Sequence, residues 1–337
     1  MKIFFDARMV GGKPSGVRDI ALGLIDGFRA LESKGQVELV LVSADSLGGQ
    51  ADVILPSRGF MHFGLPLSAA RHKADRIFIP RQTIPTVSTV ATVPLFHDIG
   101  FLREPELYER NRVRDVTTRR AATAKMAVAV SNFTSKEIAE EGLSNSVTGL
   151  SVGAIHAVNW APDHQAPYVL CVAAQEEHKN LVRLVKAWRI GRMGGMKLVI
   201  CGRPGRDTPS LRQEIEQADD GSIVLVQDLN DEEYARLLSE CWAYVQPSLY
   251  EGLCIPALDL AAAGVPLAVS NKGNIGEVFV DGGADVFDPE SIEGIGEAIQ
   301  RICGDQALRE QLGESATHVV KATNWAKVAE EVLGAME

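Results

Sequence analysis

The sequence predicts an α/β protein built from two doubly wound domains. Short runs rich in β-branched residues alternate with longer amphipathic stretches along all 337 residues, which is typical of parallel sheets with helices on both faces. Residues 127–130 and 169–172 are continuously apolar, as parallel strands buried on both faces are. The alternation restarts after a polar segment with two prolines at 160–167, which indicates a linker.

In chain order, strands are predicted at 2–5, 37–42, 76–79, 90–96 and 126–130, and then at 168–173, 197–201, 223–226, 242–246, 266–269 and 284–287. The helical patterns between them cover 17–30, 104–124, 134–141, 179–188, 231–240 and 292–302. The length suits two domains of roughly 100–200 residues each, placed at 1–160 and 161–320. Residues 321–337 are expected to form a closing helix that packs back on the first domain.

With 46% hydrophobic and 23% charged residues, the composition is that of a soluble globular protein. No apolar run approaches the roughly 18–20 residues that span a bilayer, and the start meets charged side chains too early for a secretory signal. Five cysteines without a C-x-x-C pair favour neither zinc nor a disulfide framework, so a reducing cytoplasm is expected. The net charge of −10 argues against nucleic acid as a partner.

The most informative stretch runs from 247 to 266. It follows the predicted strand at 242–246, and a turn containing Gly252 then opens a small-residue helix that stops at Gly264. A helix that begins near 254–256 offers unpaired backbone N–H groups and the positive end of its dipole, which readily hold a phosphate. Glu251 and Asp259 flank this end, where carboxylates fit best as acceptors for hydroxyl groups. A sugar nucleotide combines phosphates and hydroxyls and is therefore the expected ligand.

These residues resemble a known family. The spacing from Glu251 to Asp259 is similar to the E-x7-E motif of retaining GT-B glycosyltransferases of the family-4 type, with Asp in place of the second Glu. The resemblance covers nearly the whole chain, since further short patterns follow in the family's order: Ser15-Gly16-Val17-Arg18 (a glycine loop), His97-Asp98 (the "HD" element), 130–137, Glu176-Glu177-His178-Lys179-Asn180 (E-P-R-K-N) and Asn324-Trp325-Ala326. It implies the GT-B fold, in which two Rossmann-like domains face a cleft.

The resemblance implies transfer of a hexose from a GDP- or UDP-linked donor to a saccharide or glycolipid acceptor in bacterial-type surface glycan synthesis. Retention at the anomeric carbon is implied, and neither a metal nor another cofactor is. Fixed donors that stabilise charge on the leaving diphosphate lower the barrier. His97, Lys179 and Glu251 are assigned to catalysis, and Arg18 and Asp98 to the acceptor side. Donor binding is assigned to Gly16, Arg203, Asp228, Gly252, Leu253, Cys254, Ile255 and Asp259.

Three departures from the family pattern bear on the donor. Residues 172–175 lack the arginine that many relatives carry before the lysine, and Arg203, which ends the next strand, is the expected substitute. Cys254 stands where relatives have glycine, so its side chain crowds a backbone that should approach the donor. Asp259, expected to accept from the ribose, is one methylene shorter than glutamate.

The residues alone leave plainer interpretations open. Glu251 could cap the helix, Asp259 could be solvated, Lys179 could be a surface lysine, and His97 could be a buried structural histidine. At the level of function, a sugar-nucleotide-binding subunit without catalysis is the first alternative, because the missing arginine favours it. A GT-B epimerase is the second.

The two halves of the chain differ in charge. Residues 1–160 carry 19 basic against 16 acidic residues, whereas 161–337 carry 15 against 28. Seven basic residues cluster at 103–125, so an anionic, lipid-linked acceptor is expected there, with weak peripheral contact to the inner face of a membrane. We expect no strong apolar anchor beside the cluster, and hence salt-sensitive contact. A solvated helix whose charges partly cancel is the alternative.

Overall fold

The computed structural model describes residues 1–12, 14–191, 194–218 and 221–337. The chain forms two compact units. The first contains Met1–Arg103, Glu109–Val152 and Thr323–Glu337, and the second contains Glu104–Tyr108 and Gly153–Ala322. The polar segment at 160–167 therefore lies inside the second unit rather than between the two.

The first unit is built on a seven-stranded parallel sheet with the order β3-β2-β1-β4-β5-β6-β7. Its strands are β1 Lys2–Asp6, β2 Glu38–Ser43, β3 Val53–Ile54, β4 Arg76–Ile79, β5 Ala91–Phe96, β6 Ala127–Ala129 and β7 Val147–Gly149. The apolar runs lie in the middle, where Phe4, Phe78 and Phe96 are fully buried. The short edge strands β3 and β7 were not predicted, since two or three residues carry too little periodicity to recognise.

The helices of this part are α1 Gly16–Glu32, α2 Leu65–Arg71, α3 Gly100–Arg103, α4 Arg112–Ala121 and α5 Asn132–Glu140. The prediction of one helix over 104–124 is wrong in its first half. Pro105 begins a short 3-10 turn, Pro105–Leu107, and α4 begins only after Asn111. The Asn111 side chain accepts a hydrogen bond from the Arg114 amide at 3.0 Å, and such a cap favours a new helix start at this point.

The second unit is built on a six-stranded parallel sheet with the order β10-β9-β8-β11-β12-β13. Its strands are β8 Tyr168–Val172, β9 Lys197–Cys201, β10 Ile223–Val226, β11 Ala243–Gln246, β12 Leu267–Ser270 and β13 Asp285–Phe287. Its helices are α6 Leu181–Gly191, α7 Thr208–Glu216, α8 Asp231–Glu240, α9 Ile255–Ala262, α10 Gly273–Val278, α11 Ile292–Gly304 and α12 Gln306–Val319. Trp188 of α6 and Ile299 of α11 pack in the core against the sheet.

The last helix, α13 Trp325–Gly334, packs against α1 within the first unit. Two glycines of α1 permit this approach: a Cβ atom at Gly23 would lie 2.0 Å from the Trp325 ring, and one at Gly27 would lie 2.2 Å from its carbonyl oxygen. Asn324 caps α13 by accepting from the Lys327 amide. Within the described ranges, no helix has both the length and the apolar character that a membrane crossing requires.

Candidate functional site

The strand order of the second sheet fixes where a ligand can bind. The order changes direction between β8 and β11, and open α/β sheets bind ligands at such a switch point, outside the carboxyl ends of the strands. Lys179 follows β8, Arg203 follows β9, Asp228 follows β10 and Glu251 follows β11. Since parallel strands end at the same edge, the fold brings these four predicted residues to one edge of the sheet.

Glu251 is buried and held by a polar network. Its Oε1 accepts from Lys179 Nζ at 2.8 Å, from Ser248 Oγ at 2.8 Å and from Gln246 Nε2 at 3.2 Å. The Tyr244 hydroxyl in turn donates to Gln246 Oε1. All three bonds fall on one carboxylate oxygen, and in the described part of the chain Oε2 takes no hydrogen bond. The carboxylate is therefore fixed with one oxygen available to a ligand.

This network decides between two interpretations of the sequence. Glu251 bonds side chains rather than the first amides of α9, and α9 has no side-chain cap, so the capping interpretation is wrong. Lys179 is mostly buried, with 18% of its side chain exposed, so it is not a simple surface lysine. Gln246, Ser248 and Tyr244 were missed, because a polar residue at the end of a strand carries no signal of its partner.

Lys179 is positioned by its neighbour Asn180. Asn180 adopts the left-handed conformation, with φ of 59°, at the end of the turn Glu177–Lys179. Its buried amide donates to the carbonyl oxygens of Pro247 at 3.0 Å and Pro289 at 2.7 Å. The turn after β8 is thereby tied to the segment after β11, which keeps Lys179 against Glu251. The Lys-Asn pair in the sequence was the only available signal for this role.

The loop before α9 approaches its neighbours closely. Cys254 precedes the helix with φ of 62° and ψ of 66°, a left-handed conformation that favours glycine. Its thiol is buried, and this desolvation raises the pKa of Cys254 well above its usual value, so the thiol is neutral. A Cβ atom at Gly273 would lie 2.6 Å from the Glu251 amide nitrogen. Cys254 thus occupies a backbone position that favours glycine, which is the residue that the resemblance to the family leads us to expect there.

Asp259, on α9, is 2% exposed and fully engaged by the chain. Its Oδ1 accepts from the amides of Ile155 at 2.7 Å and His156 at 3.0 Å, and its Oδ2 lies 2.7 Å from His156 Nδ1. The solvated interpretation of Asp259 is therefore wrong. The sequence did not indicate this partner, which lies about one hundred positions earlier. Both oxygens hold the segment 155–156 to α9, so a ribose would have to share or displace these bonds.

Arg203 and Asp228 are less constrained than Lys179 and Glu251. The Arg203 side chain is exposed, and its carbonyl oxygen accepts from the Gln175 amide at 3.0 Å. Gly202 permits this close approach, because a Cβ atom there would lie 1.9 Å from the Ala173 carbonyl oxygen. Asp228 has φ of 53°, a left-handed turn after β10. Both residues therefore lie at the carboxyl edge of the second sheet, after β9 and β10.

The first unit places its candidates in the same way. Its strand order changes direction between β1 and β4, Gly16 begins the helix after β1, and His97 and Asp98 follow β5. Gly16 is exposed and lies next to Ser15, whose hydroxyl accepts from the Arg18 amide at 3.3 Å. Arg18 Nε donates to the Val10 carbonyl at 3.0 Å, which holds the loop before α1.

His97 is partly buried, and its hydrogen bond shows which ring nitrogen carries the proton. Its Nε2 lies 2.9 Å from the Pro80 carbonyl oxygen, and since a carbonyl only accepts, Nε2 carries the hydrogen. Desolvation lowers the pKa of His97 below its usual value, so the ring is neutral at physiological pH. The sequence did not indicate Gln82, whose side chain holds the backbone of both residues. Its Oε1 accepts from the His97 amide and its Nε2 donates to the Asp98 carbonyl, each at 3.1 Å.

Comparison with known proteins identifies the second unit. Residues 155–319 match the family of glycosyl transferases group 1. The second unit belongs to this family. An O-antigen chain mannosyltransferase B of Escherichia coli is 26% identical over 264 residues, which cover 72% of this chain and 69% of that protein. An MMP alpha-(1->4)-mannosyltransferase of Mycolicibacterium hassiacum is 27% identical over 161 residues, covering 47% of this chain but only 39% of that protein.

The similarity of fold extends over the whole chain. A sucrose-phosphate synthase from Thermosynechococcus elongatus superposes with a TM-score of 0.73 at 16% identity, covering 99% of this chain and 97% of the other. At this identity the similarity concerns the fold. Together with the two parallel sheets, it confirms the predicted GT-B fold.

Proposed function

We propose that this group 1 glycosyltransferase is a retaining, metal-independent hexosyltransferase that uses a GDP- or UDP-linked donor. The observation that carries the proposal is the buried pair Lys179–Glu251 at the strand switch of the family-matched domain. A cation and a carboxylate held there, beside a helix N-terminus, match the two chemical parts of a sugar nucleotide. Mannose is the first sugar to test, because two similar proteins are named mannosyltransferases.

In the proposed reaction the second unit holds the donor. The amides around 253–255 and Lys179 Nζ stabilise the charge that develops on the leaving β-phosphate. Glu251 Oε2 accepts from a sugar hydroxyl, Gly252 leaves room for the donor, and Asp228 lies toward the base. Since Glu251 Oε1 is already held by three donors, we assign Glu251 to binding rather than to nucleophilic attack. Retention then proceeds by front-face attack, with the leaving phosphate as base.

The first unit is proposed to meet the acceptor. His97 would contact the sugar near the reacting centre, and its neutral ring adds no charge there. The Gly16 backbone would contribute to the diphosphate, and Arg18 and Asp98 would face the acceptor. The basic stretch at 103–125 favours an anionic, lipid-linked saccharide at the inner face of a membrane. We propose no nucleic acid partner, because the net charge is −10.

A second candidate function is a donor-binding subunit without catalysis. It is favoured by residues 172–175, which carry no arginine for the diphosphate. The two candidates differ in one property: a catalyst turns the donor over, whereas a binding subunit only holds it.

The test is a screen of GDP, UDP and their hexoses by thermal shift, followed by release of nucleoside diphosphate with and without saccharide or lipid-linked acceptors. Ligand at one hundred times its Kd should stabilise the protein by about 2.7 kcal/mol. We expect an acceptor to accelerate release. Stabilisation without release would support the binding subunit, and the absence of both would contradict the proposed donor class.

A further inference from the structure

A short segment from the first half of the chain belongs to the second unit. Glu104–Tyr108 lies there, although the residues on either side of it belong to the first unit. Within it, Pro105–Leu107 forms a 3-10 turn, and the amides of Leu107 and Tyr108 donate to carbonyl oxygens of the same segment at 3.0 and 3.4 Å. We call Glu104–Tyr108 the strap. Its internal hydrogen bonds give the strap a defined backbone conformation.

The strap lies on the turn that carries Lys179. The Tyr108 ring stacks on the His178 ring, with the ring centroids 4.5 Å apart and the ring planes 13° from parallel. Stacked ring pairs at this distance attract one another by more than their buried area alone provides. Both side chains are half-buried, and His178 immediately precedes Lys179. The strap therefore covers the turn beside the side chain that is proposed to stabilise the diphosphate.

A second contact joins the strap to this turn through Arg206. Arg206 Nε donates to Glu177 Oε1 at 3.0 Å, and its Nη2 donates to Glu177 Oε2. The same Nη2 donates to the Glu106 carbonyl oxygen of the strap at 3.4 Å. Gly205 allows the loop after β9 to come this close, because a Cβ atom there would lie 2.6 Å from the Gln175 carbonyl oxygen. Arg206 thus bridges the strap and the turn.

The sequence of the turn explains why it needs such contacts. In the E-P-R-K-N element that this segment resembles, proline stands where the chain has Glu177. Proline fixes φ and thereby reduces the number of conformations that a turn can adopt. Glutamate imposes no such restriction. The turn is instead held by side chains from elsewhere in the second unit: by Arg206, by the stacked ring of Tyr108 and by the amide of Asn180 within the turn's own end.

We propose that Tyr108 is a positioning residue for Lys179, and that the strap holds the turn in the conformation that binds the diphosphate. This inference rests on the proposed function, because it concerns the affinity for the same donor. A turn that samples other conformations binds its ligand more weakly, in proportion to the fraction that is competent. Coupling between two sites is reciprocal, so a bound diphosphate should in turn stabilise the strap on the turn.

The first measurement is calorimetry of Tyr108→Ala with GDP, UDP and the two nucleosides. Loss of the ring pair should weaken nucleoside diphosphate binding about three- to tenfold. Nucleoside binding should be unchanged, because only the phosphates meet Lys179. Tyr108→Phe keeps the ring and should restore the wild-type affinity. The matched control is His164→Ala, which removes a ring contact to Trp242, with centroids 5.1 Å apart, before β8 rather than after it; it should change neither affinity.

The second measurement is hydrogen exchange of the strap in the wild-type protein. The amides of Leu107 and Tyr108 are hydrogen-bonded only while the strap keeps its turn, so their exchange reports on its stability. We expect slower exchange when GDP or UDP is bound, and the unliganded rate when the nucleoside is bound. This arm needs no substitution and therefore does not depend on how well a variant folds.

The outcomes separate this inference from the proposed function. Weaker nucleoside diphosphate binding by Tyr108→Ala, with recovery in Tyr108→Phe and slower exchange in the strap, supports it. Wild-type affinity in Tyr108→Ala overturns it and leaves the proposed function intact, as does unchanged exchange on nucleoside diphosphate binding. Equal weakening of nucleoside and nucleoside diphosphate, or no recovery in Tyr108→Phe, also overturns it. A wild type that binds no nucleoside diphosphate contradicts the proposed function and this inference together.

Discussion

The two units hold their candidate residues in different ways. In the second unit Glu251 and Asp259 are nearly inaccessible to water, and each carboxylate is bonded by at least two donors, among them Lys179 for Glu251 and His156 for Asp259, which are distant in sequence. In the first unit Gly16 is exposed and the backbone at His97 is steadied by the Gln82 amide. A buried polar group left without its partner costs about 1–3 kcal/mol, so the second site tolerates few arrangements and the first tolerates many.

This difference parallels the family comparison. The family match covers 155–319, within the second unit, whereas the GT-B fold extends over both units. A site built from mutually dependent buried groups leaves a recognisable pattern in sequence. A site built on exposed loops changes without loss of stability, so its partner is free to differ from one glycosyltransferase to another.

The strongest test of the second site is Glu251→Gln. The amide keeps the volume of the side chain but removes the charge opposite Lys179 and one acceptor for the donor sugar. We expect turnover to fall at least about 100-fold, as when one fixed electrostatic contact is removed. The measurement is nucleoside diphosphate release by protein whose circular dichroism is unchanged. Ser248→Ala, which removes one of the three donors to Oε1, is the milder control, and wild-type turnover by folded Glu251→Gln would refute the assignment.

Lys179→Ala should lower the affinity for nucleoside diphosphate. A charge-assisted bond contributes about 1.5–3 kcal/mol, so nucleoside diphosphate should bind roughly 10–100-fold more weakly while the nucleoside binds nearly as before. Calorimetry of both ligands measures this difference. Equal weakening of the two would mean that Lys179 serves only to hold Glu251.

Asp259→Ala should unfold more easily. It leaves the amides of Ile155 and His156 without their acceptor, which should cost roughly 2–4 kcal/mol in the free energy of unfolding. Asp259→Asn should cost less, because its carbonyl oxygen still accepts both amides and His156 can change tautomer. Urea unfolding gives the stability and calorimetry the nucleoside affinity. If nucleoside binding falls with stability unchanged, Asp259 contacts the ribose, as the resemblance implies, and its tie to 155–156 is secondary.

The sequence predicted the parts of this molecule that depend on local pattern. The central strands and the helix after Glu251 follow from apolar runs and a small-residue stretch, and their bounds were correct within a residue or two. It could not predict the Asp259–His156 contact or the hydrogen bonds from Gln82 to the backbone of His97 and Asp98, because these contacts join segments whose proximity arises only from folding.

In the first unit, the neutral His97 makes stability depend on pH. Its pKa is below the usual value of about 6.5 because the ring is desolvated, so the unfolded chain binds the proton more readily. The contribution of the neutral His97 ring to the free energy of unfolding is complete above pH 6.5. It is lost as pH falls toward the pKa of His97 in the folded protein, by at most about 1.4 kcal/mol per pH unit. Unfolding of the wild type and His97→Gln from pH 7.5 to 5.5 should show a steeper loss for the wild type. Equal slopes would contradict a neutral, desolvated ring.

The smallest effect is expected at Arg203, which belongs to the second unit but is exposed like the candidates of the first. If Arg203 replaces the missing diphosphate arginine, Arg203→Ala should weaken nucleoside diphosphate binding, and water and salt should limit the change to about two- to fivefold. The effect should vanish at high salt and be absent for the nucleoside. Arg212→Ala, an equal charge change on the exposed part of α7, is the control. Equal weakening by both variants would show that Arg203 acts only through overall charge, and that phosphate binding rests on the buried Lys179 alone.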